Sequence, residues 1–528
     1  MTSRRTSVSH VLDGGWATDF GTTADATIQR GGRLAIPFLR TAENMLFTLR
    51  GGFEKAEGTA AINSAALESG ADIRGFFDFW IAGTTGAPAQ HRIIHLSTVV
   101  KKDDGDGTFA DIKTGLEDDK IPAYAVLNDL LIYTSDSNTD VPQSWDGTTN
   151  QNLAGTPPNF AFHVEHKGRI WAGGIAANPS RLAYSALNNP EDWTGAGSGT
   201  IDISTDDGDR VVGLASHNGE LIVFKGPYIG SIHRIQGSSP TGSDPFRRTT
   251  LAEGVPCSAH NTIVKAPPND LLFVAADASI RSLAATAKFG DYDGASPSFP
   301  INQWLRDNIN FSELKRGWAI TAPSGDYTLF TFTLKGKSIN TALLMVDHRF
   351  KEPRWSYWTS YKAGCLGVSI NSSNSNQPTL VMGGNDGILY NMQQVKRSIS
   401  TAGSIDLRMR TPSLDYGDPF RTKTACGVGI QITPTSDSNL VFRWARDGNS
   451  EQSVNLSQAG SSAVLGSFIL GTDTLGGDAS SYTFDEMEEG GEFRSIYYRM
   501  TNTAESDNVK FHSFAISMEA NALSTEIL

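Results

Sequence analysis

Two histidine pairs, two aspartate runs and one acidic cluster are the residues of this sequence best placed to do chemistry. His91 and His95, in His91-Arg-Ile-Ile-His95, have the spacing that puts two imidazoles on one metal when the backbone is helical. The stretch has strand periodicity instead, and at strand rise the rings sit roughly 13 Å apart, too far to share an ion. His163 and His166 fall on opposite faces of a strand. Asp103-Asp-Gly-Asp-Gly107 and Asp206-Asp-Gly-Asp209 look like calcium loops, but neither supplies the ligand register of an EF-hand. Both read as Asp-Gly turns at hairpin tips. The run Asp485-Glu486-Met487-Glu488-Glu489, with Glu492 beyond it, reads as a solvated loop or as a repulsive rim facing nucleic acid or a partner's basic surface. No GxSxG elbow, GxxxxGK[ST] phosphate loop or HExxH helix occurs. Cys257, Cys365 and Cys426 lie far apart, which argues against a disulfide framework and a zinc ribbon. The expectation is no catalytic residue, no cofactor-binding residue, no metal ligand and no enzyme activity.

The elements that would position these residues are strands. Apolar residues alternate or run in blocks of four to seven, bounded by Gly, Asn, Asp and Pro, which is the strand-and-turn pattern. Examples are Glu220–Phe224 after Asn218-Gly219, Asp270–Val274 after Pro267-Pro268-Asn269, and Tyr327–Leu334 after Ser324-Gly325-Asp326. One helix is predicted at about 301–309, where Ile301, Trp304, Leu305 and Ile309 share a face, and a weaker one over Asn63–Ser69.

The strands recur in units at about 72–117, 121–154, 158–204, 208–250, 254–300, 311–361 and 362–395. Their lengths bracket the roughly 40–50 residues of a four-stranded propeller blade. Asn128–Tyr133, Lys167–Trp171, Asn218–Phe224 and Asn269–Val274 each read as a turn followed by a strand. The short units 121–154 and 362–395 are the candidates for incomplete blades. The predicted fold is all-β: a six- or seven-bladed β-propeller over 61–395, an N-terminal extended or hairpin segment over 1–60, and a C-terminal antiparallel β-sandwich over 396–528.

Charge narrows the partners. Residues 1–60 carry seven basic and six acidic side chains, 61–395 carry 26 and 34, and 396–528 carry 11 and 17, for a net −13. Tight phosphate binding needs clustered Lys and Arg, so this balance argues against a nucleic-acid-gripping protein and suits a passage for DNA. No apolar run approaches the 18 residues of a membrane span, and the start has no signal-peptide core. The chain is therefore expected to be made in a cytosol.

Three stretches resemble the tail nozzle proteins of short-tailed bacteriophages, the family of tail tubular protein B and the packaged-DNA stabilisation proteins. The first is Leu34–Thr59, where Pro37, Glu43, Asn44, Gly51, Gly52, Lys55, Gly58 and Thr59 fit; Glu57 stands where a proline is common. The second runs from Lys167–Trp171 through Arg181–Ser185 and Asn189–Trp193 to Ile201–Ile203. The third runs from Val211–Ala215 through Leu221–Lys225, Gly254–Cys257 and Asp270–Val274 to Ile280–Leu283. Together they cover about 34–285, and Phe442–Gly448 looks like part of the family's C-terminal domain.

The resemblance implies a virion tail protein assembled in the host cytoplasm. It implies a homo-hexameric ring below portal and adaptor, in contact with the adaptor protein and with tail fibre, spike or needle proteins. Duplex DNA would pass through the lumen without specific binding. The N-terminal segment and C-terminal domain would build the ring, with propellers outside it. The alternative is a carbohydrate-binding or glycosidase-like propeller acting in receptor recognition, which needs paired carboxylates facing one pocket. Trp145-Asp-Gly147, Gly384-Asn-Asp-Gly387 and Trp444-Ala-Arg-Asp-Gly448 are similar to the turns of sialidase-like propellers, but each lacks the full Ser-x-Asp-x-Gly-x-x-Trp pattern.

Overall fold

Tight turns between short apolar runs set the local structure. Asn128-Asp129, Lys167-Gly168 and Asn218-Gly219 all take positive φ at both positions, the geometry that folds a right-twisted hairpin back on itself. The computed structural model describes residues 5–12, 14–18, 23–24, 29–30, 33–36, 38–49, 52–82, 88–136, 139–290, 296–359, 361–371, 377–393, 398–399, 403–433, 438–458, 481–486, 491–503 and 510–520. It is all-β, with many four-stranded antiparallel sheets, an arrangement consistent with a β-propeller. Two compact units divide the chain. One is Ala60–Leu343 with Tyr361–Met392; the other is Met1–Thr59 with Leu344–Ser360 and Gln393–Leu528.

The first of these, here the ringed unit, holds seven sheets in chain order. Four consecutive sheets have four strands each, starting with Ile73–Ile81, Pro122–Leu127, Phe162–His166 and Arg210–His217. The fifth has three strands, Val264–Ala266, Asp270–Val274 and Ile280–Ser282. The sixth, which begins with Trp318–Thr321 and Tyr327–Phe332, is not separate: it is one end of an eleven-stranded sheet that continues through Ala342–Asp347 and Arg354–Trp358 to Thr41–Glu43. The seventh begins with Ala363–Asn371 and Gln377–Gly384. First strands pack on first strands: Ile73–Ile81 against Pro122–Leu127, that against Phe162–His166, and that against Arg210–His217. Val264–Ala266 packs against Trp318–Thr321, that against Ala363–Asn371, which packs back on Ile73–Ile81. The 3-10 turn His260–Thr262 bridges the step between the fourth and sixth sheets.

Apolar side chains fill the wedges between neighbouring sheets. Phe79, Ile93, Val100, Leu131, Tyr133 and Trp145 form one such cluster, and Ile132, Phe160, Ile170, Ala172 and Trp193 the next. Burying side chains of this size is worth about 1.5–3 kcal/mol each, the main term holding sheet to sheet. The inner strands come very close. A Cβ at Gly75 would meet the Pro122 ring at 2.2 Å and the Tyr124 hydroxyl at 2.6 Å, so only glycine fits there.

Of the two stretches expected to be incomplete, 362–395 is and 121–154 is not. The stretch 121–154 holds four complete strands. The seventh sheet has three strands of its own, Leu389–Gln393 being the last, and borrows its fourth from Gly58–Ala61. Ile62 N–H donates to the Leu389 carbonyl at 2.7 Å, and Asn63 clamps the join, donating to the Gly387 carbonyl at 2.9 Å and accepting from Leu389 N–H at 2.7 Å. The fifth sheet is the short one. The helix Leu283–Phe289, which periodicity did not reveal, follows its third strand, and the hydroxyls of Ser296 and Ser298 satisfy the outer edge at Ile280. The predicted helix near 301–309 spans Asn302–Asn308, with Ile301, Leu305 and Ile309 fully buried. Over Asn63–Ser69 there is only a 3-10 turn, Leu67–Gly70, because Glu68 and Ser69 take positive φ.

In the other unit, two wide sheets face each other across an aromatic core. In one, Lys510–Ala520 lies between Arg5–Leu12 and Lys423–Thr433 and also pairs with Phe53–Lys55. In the other, Ile496–Asn502 lies between Ser438–Arg446 and Leu407–Arg410, and Leu407–Arg410 pairs with Thr41–Glu43. Phe442, Tyr498 and Phe514 pack between the sheets, with ring centroids 5.2–6.0 Å apart. Asn44 is fully buried at positive φ; its amide donates to Thr359 Oγ1 and the Asp406 carbonyl and accepts from Thr359 N–H.

The domain boundaries expected at 60 and 395 need two adjustments. The region after 396 is not a sandwich by itself, since N-terminal strands complete its sheets. Leu344–Ser360, expected within the propeller, belongs to this unit, where Arg354–Trp358 pairs in parallel with Thr41–Glu43. Long alternating strands leave unpaired edges, and partners from elsewhere in the chain supply them.

Candidate functional site

The first strands of all seven sheets enclose a channel of about 610 Å³. Its wall mixes Phe77, Trp318 and aliphatic residues with Asp78, Glu165, Ser216, His163, His260 and Lys265. A second cavity of about 470 Å³ adjoins it at His260 and Asn261. Arg210, Lys315 and Asp136 line it, Lys315 donating to Asp136 at 3.3 Å, and Asn261 donates to the Pro122 carbonyl at 3.0 Å.

Most polar groups in the channel wall are engaged by neighbouring strands. Asp78 accepts from Gln90 at 2.8 and 3.0 Å, from the Trp80 indole at 3.0 Å and from Ile370 N–H at 3.1 Å. Gln90 also donates to the Ile370 carbonyl at 2.7 Å, so this pair ties the first sheet to the seventh. Glu165 accepts from Gly168 N–H at 2.8 Å in its own hairpin. His163 donates Nε2–H to the Ile132 carbonyl at 3.0 Å, His166 bonds Ser216 at 2.8 Å, and His260 accepts from Leu214 N–H at 3.3 Å. Burial pushes His163 and His166 down to about 4 and His260 to about 3, so these imidazoles are neutral at pH 7.

A duplex is about 20 Å wide, whereas the first strands here line a single cavity of about 610 Å³.

The residues singled out from sequence are dispersed. His91 sits on the strand Ala89–Leu96 with Asp104 at 2.5 Å, while His95 on the same strand is fully buried. Asp103 pairs with Arg92 at 3.0 Å and accepts from Gly105 and Gly107 N–H, as a turn residue does. Asp146, Asp386 and Asp447 likewise accept backbone N–H groups within or beside their turns. The acidic cluster at 485–489 falls largely outside the described residues. Among the described residues, no group of three or more His, Cys, Asp or Glu is arranged to hold a metal ion, and no helix is long and apolar enough to cross a membrane. The three cysteines are free.

Two arrangements were invisible in sequence. Lys225 is fully buried, its ammonium held by both oxygens of Asp207 at 2.6 Å and by the carbonyls of Ile203 and Ser204 at 2.9 and 2.6 Å. Asp209 accepts three successive N–H groups, from Tyr228, Ile229 and Gly230. The Asp206–Asp209 run is thus a turn whose carboxylates also anchor the fourth sheet. Only the turn signal was local enough to read.

No family model matches the sequence, and no curated protein matches it. Solved structures align with most of the chain at low similarity. An exo-β-1,3-galactanase from Phanerochaete chrysosporium is 8% identical over 87% of this chain and all of its own, with a TM-score of 0.25. A GH43B protein of a Bacteroides ovatus xyloglucan locus is 10% identical over 88% of this chain and all of its own, with a TM-score of 0.26. Similarity at this level carries no weight for the activity of this chain.

Proposed function

We propose that the chain is a structural subunit of a short-tailed bacteriophage tail, a nozzle protein that forms a hexameric ring below portal and adaptor. The ring retains packaged DNA and conducts it at ejection. In this reading the seven sheets are the blades of one closed propeller, and the wide-sheet unit builds the ring. The observation that carries it is the resemblance of residues 34 to about 285 to nozzle proteins. The make-up of one unit from segments before and after the ringed unit in sequence supports it. In this reading the conduit for duplex lies on an axis shared by several copies, with heterologous contacts that close by rotation.

The alternative is a carbohydrate-binding or glycosidase-like propeller. Asp78 and Glu165 do line one channel, but Asp78 is occupied by the bonds that join the first and seventh sheets. Labelling this chain in purified virions separates the readings. The nozzle reading expects label on the tail axis next to the portal; label confined to peripheral appendages contradicts it.

A further inference from the structure

Lys55 and Asn502 are 447 residues apart, yet the Lys55 ammonium donates to Asn502 Oδ1 at 2.9 Å. Neither is accessible, at 0% and 1% exposure. Lys55 ends the strand Phe53–Lys55 of one wide sheet, and Asn502 ends Ile496–Asn502 of the other. Close by, Phe53 stacks on Phe511 with ring centroids 4.6 Å apart, both rings buried. A third group, the Glu57 carboxyl, follows Lys55 by two residues and is 4% exposed. With a carbonyl bond of about 1.23 Å, the amide carbon of Asn502 lies within about 4 Å of the lysine nitrogen. An amine, an amide and a carboxyl thus lie buried in one β-sandwich, with the amine already against the amide carbonyl. In such a place, proximity replaces the encounter that a bimolecular reaction would need.

We propose that Lys55 and Asn502 become joined by an intramolecular amide bond, formed by the folded chain itself with Glu57 as proton shuttle. Glu57 takes one proton from the Lys55 ammonium. The freed electron pair on Nζ attacks the Asn502 amide carbon, forming a C–N bond while the carbonyl pair moves onto Oδ1. A second amine proton passes to Nδ2, the bond from the amide carbon to Nδ2 breaks, and the carbonyl re-forms. Ammonia leaves and takes the proton held by Glu57, so the leaving species is ammonium and the carboxylate is restored. Nothing is oxidised or reduced. The product is a covalent tie between the two wide sheets, independent of the nozzle reading.

The test is the mass of the purified full-length chain under denaturing conditions, followed by peptide mapping. The expected result is a mass lower by one ammonia, about 17 Da, and a branched peptide containing Lys55 and Asn502. A full mass with both residues recovered in separate linear peptides overturns the proposal, as does an ammonia loss mapped elsewhere. Lys55→Met and Asn502→Ala are expected to give full-mass chains. Glu57→Gln is expected to keep both residues unlinked, and a Glu57→Gln chain that cross-links like the wild type overturns the role given to Glu57.

Discussion

Six of the sheets around the channel draw nearly all their strands from one short run of chain, whereas the two wide sheets join segments from distant parts of it. The second sheet spans only Pro122–Asn152, but Arg5–Leu12 pairs with Lys510–Ala520. The difference is one of contact order. A hairpin closes a small loop and gains its contacts at once, while a pair some 500 residues apart must wait for most of the chain. The ringed unit is therefore built of locally specified pieces joined at one seam. The wide-sheet unit exists only when distant segments meet.

The largest expected effect removes that meeting. A chain ended at residue 503 loses Lys510–Ala520, which pairs with Arg5–Leu12, Phe53–Lys55 and Lys423–Thr433. Calorimetry is expected to show the wide-sheet transition gone and the ringed-unit transition retained. Retention of both would break the comparison.

Next comes Asp207→Ala, which leaves the Lys225 ammonium buried without its carboxylate. Breaking a buried pair in this way costs about 3–5 kcal/mol. The loss should fall on the ringed unit alone, read as a lower denaturant midpoint for that transition.

Acid should also act on the ringed unit. Burial holds His95 and His260 down to about 3, and His163, His166 and His233 to about 4; all five lie in that unit. Unfolded histidine titrates near pH 6.5. The unfolded chain therefore takes up protons that the folded unit refuses, and stability present above about pH 6.5 drains away as pH falls towards 4. The melting temperature of the ringed unit is expected to fall steadily between pH 7 and 5; a flat profile would count against the buried neutral imidazoles.

These contrasts explain what was legible in the sequence. Asn128-Asp129 and Asn218-Gly219 announce their hairpins because turn chemistry is local, and each predicted repeat stretch contains the start of one sheet. The fourth strand of the seventh sheet was not legible, because Gly58–Ala61 lies some 300 residues before its partners. Arg354–Trp358 has the same alternation as the strands before it, so nothing local marks its pairing with Thr41–Glu43. In the channel, Asp78 reads as one more polar residue in a strand, since Ile370, whose amide it accepts, is 292 positions away.

The smallest expected effect probes that seam. Asp78→Asn weakens the charge-assisted bonds from Ile370 N–H, Gln90 and Trp80, at a cost of about 1–2 kcal/mol. Faster hydrogen exchange at the Ile370 amide, with exchange inside the third sheet unchanged, would place the weak point at the join of the first and seventh sheets. Uniform loss of protection would show that no such seam exists.

The central proposal is that the wide-sheet unit forms a ring whose shared axis is the DNA path. An averaged electron-microscopy reconstruction of the chain bound to its adaptor ring tests it most directly. The account predicts six copies around a lumen at least about 20 Å wide, wide enough for a duplex, with the wide-sheet units lining it. A monomer on the adaptor, or a ring lined by the seven-sheet units with no passage of that width, would contradict it.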